Sequence, residues 1–130
     1  MEKKSPGLRV LVVDDELLAR WSIAETLADA GHTVIEAGDG AAAVRALTDA
    51  SPPIDVVLLD YRLADSNGLT LLATVRRLVP GTPVVVMTAY GSPDVTRGAL
   101  ELGACEVLDK PFDIHDLGAI VRRAHGLRPH

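Results

Sequence analysis

The sequence predicts an α/β domain built on a doubly wound, five-stranded parallel sheet, strand order 2-1-3-4-5, with five helices. Three observations carry this expectation. Short, unalternating apolar runs recur along the 130 residues, and such runs read as strands buried on both faces. Segments with helical spacing separate them. The resulting order is β-α repeated five times, which implies right-handed crossovers and helices on both faces of the sheet.

The elements follow in chain order. Val10-Leu11-Val12-Val13 is the first strand. The first helix carries Leu17, Leu18, Trp21, Ala24, Leu27 and Ala28 on one stripe, which makes Trp21 a core residue, and Gly31 follows as its C′ residue. His32 to Ala37 is a weaker second strand. The third is Val56-Val57-Leu58-Leu59. Leu72, Val75 and Val79 form the stripe of the helix after it, and Pro80-Gly81 marks the turn that ends it. Val84-Val85-Val86-Met87 is the fourth strand. Ser92-Pro93, a cap followed by proline at the first helical position, opens a helix that stops at Gly103. Cys105 to Leu108 is a weaker fifth strand. Asp113 caps the last helix, whose stripe is Ile114, Leu117, Ile120, Val121 and Ala124. Arg122 and Arg123 near its end face its dipole and solvent.

Composition sets the bounds. The length suits one domain, with residues 8–125 as its body, 1–7 as a tail, and 126–130 as a second tail or the start of a linker. A chain of this size buries a core without disulfides or metal staples. Its apolar runs fall far short of the roughly 20 residues a membrane helix needs, and Met1 to Gly7 contains no signal-peptide core. The expectation is a cytoplasmic protein with no membrane contact. The one cysteine, Cys105, excludes an internal disulfide and reads as a small buried hydrophobe. A net charge of −5 and 3% aromatics argue against direct nucleic-acid binding. His32, His115, His125 and His130 lack metal-ligand spacing. Of three lysines, only Lys110 lies in the folded body.

The chemistry lies just past the strands. Strand 1 ends in Asp14-Asp15-Glu16, strand 3 in Asp60 and strand 4 in Thr88-Ala89, and strand 5 leads into Asp109-Lys110-Pro111. In a parallel sheet these ends share one edge. In the order 2-1-3-4-5, strands 1 and 3 meet at the switch point where open α/β sheets bind ligands. Mutually repelling carboxylates favour a hard cation, and a small oxygen-donor set with room for water suits Mg²⁺. Lys110 and Thr88 fall where phosphoryl oxygens need a positive charge and a donor. Phosphoryl transfer asks for little beyond such positioning and charge neutralisation, and an aspartate can be its nucleophile. Each element alone has a duller reading. Asp14-Asp15 can cap a helix, Asp60 can precede the Asn67-Gly68 turn, Thr88 can be a turn hydroxyl, and Lys110-Pro111 can be a solvated turn. Four strand ends acting together are hard to explain as four independent caps.

Leu11-Val12-Val13-Asp14-Asp15-Glu16, Leu58-Leu59-Asp60, Met87-Thr88-Ala89 and Asp109-Lys110-Pro111-Phe112 resemble the signature positions of response-regulator receiver domains. The resemblance spans residues 8–124. Arg20-Trp21 and the stretch from Gly103-Ala104-Cys105 through Asp113 are further similar to receivers of nitrogen-regulator-type activators. The fold implied is the flavodoxin-like one. Asp60 is then the phosphoacceptor, served by the histidine of a sensor kinase. Asp14, Asp15, Asp60 and the Arg62 backbone carbonyl are the implied Mg²⁺ ligands. Lys110, Thr88 and the Ala89 backbone N–H are the implied phosphoryl contacts, with a cis bond before Pro111. Arg62 and Tyr90 occupy positions that tune phosphate loss. The implied partner or dimer face is helix 4, strand 5 and helix 5.

Two positions depart from the family pattern. Val107 stands where an aromatic that swings inward is usual, and Ala64 stands where proline is usual. Both bear on output rather than on phosphorylation. Val107 favours a competing reading, a binding module that phosphate does not regulate; the intact acidic, hydroxyl and lysine positions oppose it. A haloacid-dehalogenase-type phosphohydrolase would need Asp-x-Asp-x-Thr after strand 1, which Asp14 to Leu18 lacks. A flavin site would need a hydroxyl-rich loop where the two aspartates stand.

Overall fold

The computed structural model describes residues 7–63, 66–89 and 93–126. Along the chain run β1 (Arg9–Val13), α1 (Leu17–Asp29), β2 (Thr33–Ala37), α2 (Gly40–Asp49) and β3 (Val56–Asp60). A short pair follows, β4 (Arg62–Leu63) and β5 (Ser66–Asn67), then α3 (Gly68–Leu78), β6 (Val84–Thr88), α4 (Pro93–Glu101) and β7 (Glu106–Asp109). A 3-10 turn (Ile114–Asp116) leads into α5 (Leu117–Gly126). The main sheet is wholly parallel in the order β2-β1-β3-β6-β7. Counted without β4 and β5, this is the expected 2-1-3-4-5. The antiparallel β4–β5 pair, Arg62 opposite Asn67, is an addition to that expectation. Two-residue strands carry no hydrophobic period to read.

Alternation sorts each central strand onto two core layers. Leu11, Val13, Val57, Leu59, Val84 and Val86 face α2, α3 and α4, where Leu47, Leu72, Val75 and Ala99 meet them. Val10, Val12, Val56, Leu58, Val85 and Met87 face α1 and α5, against Leu27, Leu117, Ile120 and Val121. β3 and β6 are buried at every position. That is why their sequences are continuous apolar runs rather than alternating ones.

The first helix corrects one expectation. Its buried face is Ile23, Ala24 and Leu27. Leu17, Leu18 and Trp21 are instead exposed, Trp21 at 55%. Two apolar stripes exist on this helix, and Ile23 rather than Trp21 aligns with the one that meets the sheet. Trp21→Ala therefore costs well below the roughly 3–5 kcal/mol of a core tryptophan. A denaturant titration checks this, and acrylamide should quench the Trp21 fluorescence as it does a solvated indole.

Helix ends follow the punctuation. Gly31 (φ 95) and Gly103 (φ 101) take the left-handed conformation expected of C′ glycines. Pro93 opens α4; Ser92 lies outside the described residues, as do Ala64 and Tyr90. Asp39 caps α2 by accepting from the Ala42 N–H at 2.7 Å. Asp113 accepts from the His115 N–H, so it caps the 3-10 turn ahead of α5 rather than α5 itself. Arg123 also departs from its expected role: Nε and Nη2 grip the Glu106 carboxylate of β7 at 2.7–3.1 Å. Cys105 is half-buried against the α1/α5 layer.

His32 closes the α1–β2 corner. It is buried, and its Nδ1 accepts from the Leu8 N–H at 2.9 Å. Burial, helped by the Arg122 charge, lowers its pKa below 6.5. The neutral imidazole is thus the folded form. Its contribution to stability is whole above pH 6.5 and is lost as pH falls through the lowered folded value. Unfolding titrations between pH 7.5 and 5 should show this loss. His32→Gln, which still offers an acceptor to Leu8, should flatten it, and an unchanged slope in that variant would assign the acid sensitivity elsewhere.

Candidate functional site

Parallel register brings the strand ends together. Val13 pairs with Leu59, and Asp60 pairs with Met87. Thr88 pairs with Asp109. Backbone bonds just past the strands fix the edge: Asp14 N–H to Ala37 carbonyl at 3.1 Å, Tyr61 to Met87 at 2.7 Å and Lys110 to Thr88 at 2.7 Å. Asp14, Asp60 and Thr88 are three of the four buried polar or charged residues among those described, and His32 is the other.

The acidic pair does not cap α1. The N-cap residue is Glu16, whose own side chain makes no capping bond. Asp14 Oδ1 instead accepts from the Glu16 N–H at 2.9 Å, bending the chain outward after β1. Asp60 Oδ1 accepts from the Arg62 N–H at 3.0 Å in the same two-residue pattern. This turns both second oxygens toward Lys110, whose Nζ lies 3.0 Å from Asp60 Oδ2 and 3.3 Å from Asp14 Oδ2.

The charges do not balance. Asp14, Asp15 and Asp60 each offer a carboxylate oxygen, and the three atoms lie within 4.8 Å of one another. One ammonium faces them. Burial pushes the Asp60 carboxyl above its ordinary value, against the Arg62 N–H and Lys110, and the Asp14 charge pushes the same way. Burial pulls Lys110 down, but its bond to Asp60 and the charges of Asp60 and Asp14 hold it above 10.5. The site therefore keeps its ammonium and carries surplus negative charge. An all-oxygen donor set of this kind, open on one side through the exposed Asp15, fits a hard divalent cation.

The remaining expected residues fall around this centre. Ala89 and Lys110 line a groove of about 470 Å³ between α1 and the segment from Pro111 to Ile114, shared with Glu16, Ser22 and Phe112. The Lys110–Pro111 bond is cis. Arg62 lies on β4 with its side chain exposed. Val107 is set apart, half-buried on β7 beside Val86 and packed against the α2/α3/α4 layer. Tyr90 lies outside the described residues. Arg20 acquires a place the sequence left open: its guanidinium reaches both the Asp14 backbone carbonyl and Glu36. Its signals are its position one turn inside α1 and the Arg20-Trp21 resemblance, and neither names the Asp14 carbonyl or Glu36 as its partner.

Known proteins share this fold. The family model of the response regulator receiver domain matches residues 10–122. The DNA-binding transcriptional regulator NtrC of Escherichia coli K12 is 40% identical over 115 residues, which cover 88% of this chain and 24% of that protein. The regulatory protein AtoC of the same organism is 37% identical over 116 residues, covering 89% and 25% respectively. The chain thus spans about a quarter of the length of these relatives. Among solved structures, a CheY-like receiver domain protein from Methanospirillum hungatei JF-1 superposes with a TM-score of 0.87 at 25% identity, covering 95% of this chain and 96% of that one. NtrX from Brucella abortus superposes at 0.85 with 32% identity, covering 93% of this chain and 27% of that one. No helix among the described residues is long and apolar enough to cross a membrane. On the match of family model, relatives and fold, this chain belongs to the response regulator receiver domains of two-component systems.

Proposed function

We propose that this receiver takes a phosphoryl group on Asp60 from the phosphohistidine of a sensor kinase or phosphotransfer protein. The Asp60 carboxylate attacks phosphorus, the P–O bond forms and the P–N bond breaks. The electron pair leaves on the donor imidazole, which takes a proton from solvent. The reading rests on one observation: a lysine ammonium 3.0 Å from the Asp60 carboxylate, within an acidic cluster that has charge to spare. Lys110 holds the positive charge a phosphoryl oxygen needs, and the Thr88 hydroxyl and Ala89 N–H supply donors at the end of β6. Asp14, Asp15, Asp60 and the Arg62 carbonyl would hold Mg²⁺, which when bound screens the repulsion between Asp60 and the incoming phosphoryl oxygens. The chain acts only on itself, as a cytoplasmic switch rather than an enzyme on other substrates.

In this proposal the domain body is 8–125, and its partner or dimer face is α4, β7 and α5. The Arg123–Glu106 ion pair crosses that face. Val107, too short to swing as an aromatic does, leaves movement of α4 to carry the signal, while Arg62 and Tyr90 set how long the phosphate lasts.

Acetyl phosphate with Mg²⁺, read by intact mass spectrometry, tests the central claim. One added phosphate that vanishes with chelator is expected. No adduct, together with no binding of beryllofluoride, would leave a binding module that phosphate does not regulate, the reading Val107 favours.

A further inference from the structure

Arg20 is placed where helix stability does not ask for it. It lies in the first turns of α1, where the dipole disfavours a cation. Its side chain is only 17% exposed. Nη1 donates to the Asp14 backbone carbonyl at 2.8 Å, and Nε donates to Glu36 Oε1 of β2 at 3.0 Å. Its own N–H bonds to the Glu16 carbonyl at 2.9 Å. One residue therefore spans the segment Asp14 to Glu16 and ties it to the neighbouring strand. Gly38 completes the slot: a Cβ there would lie 3.1 Å from Arg20 Nη1, so the glycine makes room for the guanidinium.

We propose that Arg20 is a positioning residue for the acidic cluster, clamping the Asp14 carbonyl to Glu36 so that Asp14 and Asp15 are held in register with Asp60 for cation binding. The inference rests on the cation-site reading above. The planar fork of the guanidinium suits the task, because two acceptors in different directions are met by one rigid group. A lysine offers one nitrogen where Arg20 uses two, Nη1 for the Asp14 carbonyl and Nε for Glu36, so it holds the pair less well.

Charge and positioning predict opposite signs here. Arg20→Gln removes a positive charge near three carboxylates, and Coulomb attraction alone would then tighten cation binding. Loss of the clamp weakens it, by about tenfold at the low end of effects from groups that orient ligands. The measurement is the Mn²⁺ dissociation constant by electron paramagnetic resonance, with the thermal midpoint recorded beside it. Arg20→Gln should bind about tenfold more weakly and Arg20→Lys should fall between. Glu36→Gln and Gly38→Ala should shift the same way, the latter with every charge retained. Unchanged or tighter Mn²⁺ binding in Arg20→Gln and Gly38→Ala, with a native protein that binds normally, overturns the clamp and leaves Arg20 a staple between α1 and β2. A native protein that binds no Mn²⁺ at millimolar concentration overturns the cation site itself, and the clamp with it.

Discussion

Asp60→Asn takes up no phosphoryl group from acetyl phosphate and melts a few degrees higher than the native protein. The first effect follows from the nucleophile. An amide offers no anionic oxygen to phosphorus, and the neighbouring Asp14 and Asp15 are turned to Glu16, Lys110 and the cation site rather than to a second attack position. The loss should exceed about 10³-fold, as removing a covalent nucleophile does. The second effect has the opposite sign and the same origin. Burial raises the Asp60 carboxyl above its ordinary value despite Lys110 at 3.0 Å. A raised folded value means that the contribution to stability is whole below the unfolded pKa, near 3.8, and is lost as pH rises through the folded value. At neutral pH the ionised Asp60 is a cost, which the neutral amide avoids. The gain in midpoint should therefore shrink as the comparison moves from pH 7 toward pH 4. A variant less stable than the native protein at pH 7 would show that the ion pair with Lys110 outweighs the burial of the carboxylate.

The same tension explains what could be read from sequence and what could not. Val10 to Val13, Val56 to Leu59 and Val84 to Met87 are buried on both faces, so burial alone dictates their residues and the pattern is plain. Parallel pairing then fixes where each strand ends, which is why the sequence pattern alone places Asp14, Asp60, Thr88 and Lys110 at one edge. The helices were less legible. α1 carries two apolar stripes, and only contact with the sheet selects Ile23 over Trp21. Asp113 was expected to cap α5 but serves the 3-10 turn before it, a one-turn difference that the cap residue itself does not encode. Side-chain partnerships across elements were the least legible. Arg123 with Glu106 and Arg20 with Glu36 join residues distant in the chain, and a surface arginine looks alike whether it meets water or a carboxylate.

Lys110→Met should separate two roles that the native residue combines. Its ammonium stands 3.0 Å from Asp60 and 3.3 Å from Asp14, and the Asp14 side chain is wholly buried. The Lys110 pKa is raised above 10.5 by these carboxylates, against burial. A raised lysine contributes its stability in full below its unfolded value and loses it only as pH rises through the folded one, so at pH 7 all of it is present. Methionine keeps the stem and deletes the charge. Without divalent cation the variant should lose about 1–3 kcal/mol, less than a fully buried pair costs because Lys110 is partly exposed. Cation binding should move the other way. The ammonium competes for the same carboxylates, so its removal tightens Mg²⁺ binding, and Mg²⁺ should raise the midpoint more in the variant than in the native protein. Phosphorylation should nonetheless slow by about 10²–10³-fold, the usual effect of deleting one donor to a developing oxyanion. These three signs distinguish a lysine that serves the phosphoryl group from one that merely neutralises aspartates. A merely neutralising lysine would be replaced by the cation, and phosphorylation at saturating Mg²⁺ would then run at the native rate.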